Sequence, residues 1–203
     1  MLVNIYLSGE RPKTLVGSFI GEMKTVNDLS VYKKEIREGI KLYQQINDYT
    51  NHHPAVLESK KRLNPKYSKY SDSIISFFYD HFLAANWSEF SNQPLDKFAL
   101  NTYVTLVEHQ EALPFKARHF LPQMIRGNWL TRFTTLGGVN QMINQMDKKS
   151  SKYTHIVLAL EDLISDYQGF KNDFYEFFPE LIHYMKTGQQ LDKSKSQKLA
   201  WAG

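Results

Sequence analysis

The sequence predicts a single all-α domain, and three observations carry that expectation. Gly and Pro are scarce, 10 and 7 in 203 residues, and most of them fall between periodic segments. Apolar residues in the C-terminal third recur in steps of three and four, which is one face of a helix. No repeat at a period of 20–50 residues and no Gly/Ser/Pro-rich linker divides the chain.

Taken in order, Leu2–Leu7 alternates as a strand would and could equally begin a helix. Asp28 or Ser30 can cap a helix with Val31, Ile36, Ile40, Tyr43 and Ile46 on its apolar side. Pro54 can open a helix to Leu63, ended by Asn64-Pro65. Asp72-Ser73 can cap the next, from Ile74 to about Trp87. Leu95–Leu113 and Pro114–Arg126 read as two more, and Gly137-Gly138 breaks the chain before Val139–Lys148. The clearest periodicity lies within Ser151–Lys186: Ile156, Leu160, Leu163, Tyr167, Phe170, Phe174, Phe177, Leu181 and Tyr184. Pro179 should kink or restart its last turns. These segments give a helical domain over residues 1–186 and a polar, aperiodic tail over 187–203, expected to be mobile.

Composition narrows the chemistry. With no cysteine, disulfides, thiolate metal sites, iron–sulfur clusters and cysteine nucleophiles are excluded. Any transition metal would need His, Asp and Glu. The net charge is +4, half of it from the tail, where Lys193, Lys195 and Lys198 face Asp192. A basic balance welcomes acidic partners without demonstrating nucleic-acid binding. No apolar run approaches the ~18–20 residues that span a bilayer. MLVNIYLSG lacks the basic start of a signal peptide, so no membrane partner is expected and the cytoplasm is the expected location.

GxGxxG, GxxxxGK[ST], GxSxG and HExxH are all missing. The most unusual local feature is Asp80-His81 inside the apolar segment FFYDHFLAANW. Burying a carboxylate and an imidazole there is expensive without partners. Either they ligate a divalent ion, or Asp80 accepts a hydrogen bond from another helix and His81 lies at the edge. His52-His53 precede a helix start, where capping and exposure explain them. His109, His119, His155 and His183 read as surface or satisfied core residues. A basic stretch holds Lys60, Lys61, Arg62, Lys66 and Lys69 against Glu58, with Tyr67 and Tyr70 interleaved. It suits an acidic protein helix, or phosphates and stacked bases, or it is a solvated helix end. A nucleic-acid module would rest on this cluster alone.

FYDHFLAANW resembles the central signature of the acyl carrier protein phosphodiesterase family, an Asp-His-Phe-Leu segment followed by a Trp. LVNIYLSG and GSFIGEM resemble the family's opening and its Gly-Asn-Phe-Ile-x-Asp motif. EGIKLYQQINDYTNHHPAV is similar to its Gly-Ile-x-x-His-Arg-x-Ile-Asp-x-Phe-Thr-Asp-x-His-Pro motif. LPQMIRGNWL, the Gly137-Gly138 segment and FYEFFPEL also fit, so the resemblance runs through residues 1–186 in order.

The resemblance implies an all-α fold related to the HD-domain metal hydrolases. It also implies hydrolysis of the phosphodiester joining 4'-phosphopantetheine to a serine of holo-acyl carrier protein, an acidic partner. A divalent metal, Mn²⁺ or Mg²⁺, would activate water and neutralise phosphoryl charge. Asp80, His81 and His53 match the family pattern, with Asp80 and His81 in the catalytic role. The other polar positions depart from it. Asn4 stands where the family has His, and Ser18 and Glu22 replace the Asn and Asp of its second motif. Tyr43 and Gln44 occupy its His-Arg positions, and Asn47 and Asn51 stand for two aspartates. Glu22 and Asp80 are then the candidate metal ligands, and Asn4, Ser18, Tyr43, Gln44, Asn47 and Asn51 line the altered pocket. Lys60, Lys61, Arg62, Lys66 and Lys69 are the candidate partner-binding residues. The substitutions imply impaired family chemistry, or an inert relative that keeps the fold and binds acyl carrier protein or a phosphopantetheine-type ligand.

Overall fold

The computed structural model describes residues 1–23, 28–63, 67, 70–148 and 156–188. Eleven α-helices and no strand occur among them. They are α1 (Leu2–Leu7), α2 (Pro12–Glu22), α3 (Lys34–His52), α4 (Pro54–Arg62), α5 (Ser71–Ala85), α6 (Leu95–Glu108), α7 (Phe115–Arg126), α8 (Trp129–Arg132), α9 (Leu136–Lys148), α10 (Ala159–Ser165) and α11 (Tyr167–Thr187). The all-α expectation holds, and no described helix is long and apolar enough to cross a membrane.

At the centre runs α5, buried at Ile74, Ile75 and every residue from Phe78 to Ala84. A helix that is apolar nearly all round must be covered on every side. The covers include α1, α4, α9 and α11. Phe174 of α11 anchors the aromatic layer, stacked on Phe178 at 5.1 Å and touching the rings of Tyr79, Phe82 and Phe90. α2 and α3 form the tightest helix pair. They cross at Gly17 and Gly39, where an added Cβ would collide with the backbone oxygens of Ile36 and Thr14.

α5 begins at Ser71, ahead of the expected Asp72-Ser73 cap, and α6 ends at Glu108. Three further boundaries differ from the sequence expectation for a local reason. The Asp28 carboxylate accepts both the N–H and the hydroxyl of Ser30. That closes a turn, so α3 begins only at Lys34 and leaves Val31 71% exposed. α9 absorbs both Gly137 and Gly138, because Gly138 packs on the Arg132 carbonyl where no Cβ fits. The C-terminal stretch divides at Asp166, whose carboxylate caps α11 by accepting from the Gly169 N–H. Pro179 lies inside α11, which continues to Thr187 and ends on Gly188 with φ +66°. α2 has no counterpart among the expected elements. The expected tail over 187–203 falls, from residue 189 on, outside the described residues.

Candidate functional site

The site is assembled where α1 meets the middle of α5 and the end of α2. Leu2, Val3 and Ile5 bury the short helix α1, and its first turn has backbone donors without intrahelical partners. Asp80, fully buried on α5, supplies the missing acceptor. Its Oδ1 accepts the Val3 N–H at 2.9 Å, and its Oδ2 accepts the Met1 α-amino group at 2.8 Å. Burial pushes the Asp80 carboxyl upward, while the ammonium and the Val3 N–H pull it back. Burial opposes charge on the amine, yet Asp80 and then Glu22 outweigh it and hold its pKa above the ordinary value.

Glu22, the last residue of α2, lies 3.7 Å from the same amine. Its other oxygen accepts from the Asn4 carboxamide, and the Ser18 hydroxyl donates to the Asn4 carbonyl at 3.4 Å. Tyr43 of α3 packs where a side chain on Gly21 would otherwise sit. Burial, then the Glu22 charge, pushes its phenol up to about 12, so it stays a donor at neutral pH. A cavity of about 70 Å³ adjoins this cluster, lined among others by Asn4, Asn47, Asn51, Lys60, Ser76 and Tyr79. Outside it, Tyr43, Gln44, Asn47 and Asn51 border an open groove of about 460 Å³. The structure therefore gathers Asn4, Ser18, Glu22, Tyr43 and Asp80 into one cluster, puts Asn47 and Asn51 in the adjoining wall, and leaves Gln44 on the rim. Ser76 was absent from the sequence expectation, and Lys60 entered it only as a candidate partner-binding residue. Ser76 carried a usable signal, because it precedes Asp80 by one helical turn and shares its face.

His81 goes elsewhere. Successive helical residues turn by about 100°, and its ring, only 3% exposed, leaves the Asp80 side altogether. Nδ1 lies 2.7 Å from the Phe133 carbonyl and Nε2 2.9 Å from the Tyr167 hydroxyl. The carbonyl can only accept, so Nδ1 carries the proton and Tyr167 donates to Nε2. Burial lowers the His81 pKa and keeps the ring neutral. The edge position expected for His81 is thus replaced by a core position between α5, the segment after α8, and α11. His53, expected to be exposed, is 1% exposed. It does cap α4, where its Nδ1 accepts the Ala55 N–H, and its Nε2 lies 3.2 Å from Glu180.

A divalent ion needs several free anionic or imidazole ligands converging on one point. Among the described residues no group of three His, Cys, Asp or Glu side chains is placed to hold one. Both Asp80 oxygens already accept N–H donors, Glu22 is bound by Asn4, and the one adjacent imidazole is committed to Phe133 and Tyr167. This donor set does not fit the divalent metal that the resemblance implies.

The basic stretch is also committed internally. Lys60 pairs with Asp72 at 2.7 Å and donates to Asn51 at 3.2 Å. Lys61 pairs with Glu58, and Arg62 bridges Asp166 and Asp173 at 2.7 and 3.0 Å. Lys66 and Lys69 lie outside the described residues.

Comparison with known proteins covers nearly the whole chain. The family described as acyl carrier protein phosphodiesterase matches residues 1–181. Proteins named acyl carrier protein phosphodiesterase from Pectobacterium atrosepticum and Yersinia pestis are each 21% identical over 189 residues, 93% of this chain and 98% of theirs. One from Photorhabdus laumondii is 20% identical over 182 residues, 89% of this chain and 92% of its own. No solved structure matches. With the family matched from the first residue into α11, over the helices that build the Asp80 cluster, the chain belongs to the acyl carrier protein phosphodiesterase family.

Proposed function

We propose that this chain is an acyl carrier protein phosphodiesterase-like protein of the cytoplasm in which hydrolysis of the 4'-phosphopantetheine phosphodiester is impaired. One observation carries the reading: the Met1 amine and the Val3 N–H of α1 occupy both oxygens of Asp80, while Glu22 is tied to Asn4. A reacting phosphodiester needs a stabiliser for developing negative charge, and this cluster offers occupied carboxylates and neutral groups instead. Exchanging a carboxylate for a carboxamide removes a full negative charge, and even partners one layer out from a metal typically change activity by ~10–100-fold. Several such exchanges compound. The kinship to HD-type hydrolases is implied by the family resemblance alone, and the partners of Asp80 and His81 lie on different sides of α5.

What the pocket offers favours binding. Asn4, Asn47 and Asn51 present carboxamides to the cavity, and Lys60 reaches it as a cation paired with Asp72. The Tyr43 hydroxyl, held protonated, borders the outer groove. These groups can donate to phosphoryl oxygens and to the amides of a phosphopantetheine arm without breaking its phosphodiester. The second reading, a catalytically inert relative that binds acyl carrier protein or a phosphopantetheine-type ligand, is favoured by the same occupied carboxylates.

The test is direct. The purified protein is assayed for bound metal, then incubated with holo-acyl carrier protein and Mn²⁺ while the apo form is followed by intact mass. The expected results are no stoichiometric metal and conversion at least ~100-fold below that of an active family member. Bound metal with fast turnover overturns the impaired reading. Slow but measurable conversion supports it over the inert one, and binding with no conversion selects the inert one.

A further inference from the structure

The positive charge of this chain is unevenly spent. The net charge is +4, and residues 112–146 alone contain Lys116, Arg118, Arg126 and Arg132 with no Asp or Glu. Three of these cations are on α7, the helix FKARHFLPQMIR. Lys116, Arg118, His119, Gln123 and Arg126 are all exposed. Arg118 binds the main-chain carbonyls of Glu111 and Leu113, and Arg126 that of Pro122. No ion pair among the described residues engages any of the four. Glu111 and Asp147 flank the stretch on either side. The contrast with Lys60, Lys61 and Arg62, each neutralised at 2.7–3.0 Å, is complete.

The same helix exposes an aromatic. Phe115 is 76% exposed, the most of any large apolar residue described, and its ring lies 3.9 Å from that of His119. Leaving a phenylalanine in water costs apolar burial, whereas an aromatic surrounded by cations is a common make-up for a protein interface. The inner side of α7 joins it to the site: Phe120 packs on Phe19 of α2 at 6.4 Å, and Phe19 precedes Glu22 by one helical turn.

We propose that α7 is the face on which this chain docks an acidic helical protein, the acyl carrier protein. Phe115 is the apolar anchor, and Lys116, Arg118, His119 and Arg126 receive the acidic side chains. This rests on the carrier-protein reading above and assigns the surface that the sequence had placed at Lys60–Lys69. The cations steer the encounter and set its register.

Binding of holo-acyl carrier protein to the full chain, measured by calorimetry at two salt concentrations, tests it. The variants are Lys116→Glu/Arg126→Glu, Phe115→Ser, and Lys61→Glu as the paired control; Arg118 is kept because its carbonyl bonds hold the turn before α7. Each variant is first checked for wild-type helicity and melting. The double reversal and Phe115→Ser should each weaken Kd by about tenfold or more, and Lys61→Glu by about twofold at most. Added salt should weaken the wild type and leave the double reversal nearly unchanged. Wild-type binding that α7 variants retain overturns the docking face and leaves the carrier-protein reading standing. No wild-type binding at either salt concentration overturns that reading, and the assignment of α7 falls with it.

Discussion

At the scale of single residues, Asp80 and His81 show how adjacent positions on one helix acquire unrelated tasks. Asp80 terminates the donors of α1, and His81 ties the Phe133 carbonyl to the Tyr167 hydroxyl. The apolar setting of FFYDHFLAANW already showed that both need partners, and the matched motifs brought Asn4, Ser18, Glu22 and Asp80 to one place. Where the His81 ring points was not legible, because its partners lie 52 and 86 residues away. For the same reason the Lys60–Arg62 stretch read as free charge: Asp166 and Asp173, which neutralise Arg62, are 104 and 111 residues downstream. A prediction follows from the clamp. His81→Ala leaves a carbonyl and a phenol unpartnered in the core and opens a cavity, so it should cost about 2–4 kcal/mol in urea unfolding. His81→Asn keeps an N–H near the Nδ1 position and should cost less. Carrier-protein affinity, measured on the folded protein, should stay near wild type for both. A collapse of affinity in folded His81→Asn would instead put His81 at the binding site.

At the scale of elements, the α2–α3 crossing is what positions Glu22 opposite Tyr43, and it depends on backbone approach. Gly39 could be placed on a helix from sequence, since Ile36, Ile40, Tyr43 and Ile46 repeat around it. α2 could not, because PKTLVGSFIGE is buried continuously from Thr14 to Gly21 and shows no one-sided period. The crossing makes opposite predictions for two helical glycines. Gly39→Ala drives a Cβ into the Thr14 carbonyl. The helices must separate, at a cost of roughly 1–3 kcal/mol or more. Gly137→Ala, inside α9, meets only the Thr135 hydroxyl at 3.9 Å. There the better helix former should stabilise by about 0.5–1 kcal/mol. Thermal melts of the two variants, moving in opposite directions, are the check. A stable Gly39→Ala would mean that α2 and α3 do not pack at this distance in solution.

At the scale of the whole molecule, the frame and the site are held by different side chains. A single buried cluster runs from Met1 in front of α1 to Leu181 in α11, joining every part of the described chain that the site draws on. Phe174 is its most connected aromatic, touching Tyr79 and Phe82 of α5, Phe90 of the following turn, and Tyr175 and Phe178 of α11. None of these rings depends on which polar residue stands at positions 4, 22, 43 or 47. That separation fits a chain about one-fifth identical to its relatives that still matches them over 92–98% of their length. It also sets an expectation for Phe174→Ala. Truncating a fully buried ring at the junction of α5 and α11 should cost about 3–5 kcal/mol, the range for a large cavity in a core. Because the cluster is continuous, the loss should appear as a lower urea midpoint with an unchanged slope and one transition by both far-UV and near-UV circular dichroism. Two separated transitions would mean that α11 unfolds apart from the α1–α5 half. The Asp80 cluster, which sits on α5 between the Phe174 contacts Tyr79 and Phe82, would then lose its support before the rest of the molecule does.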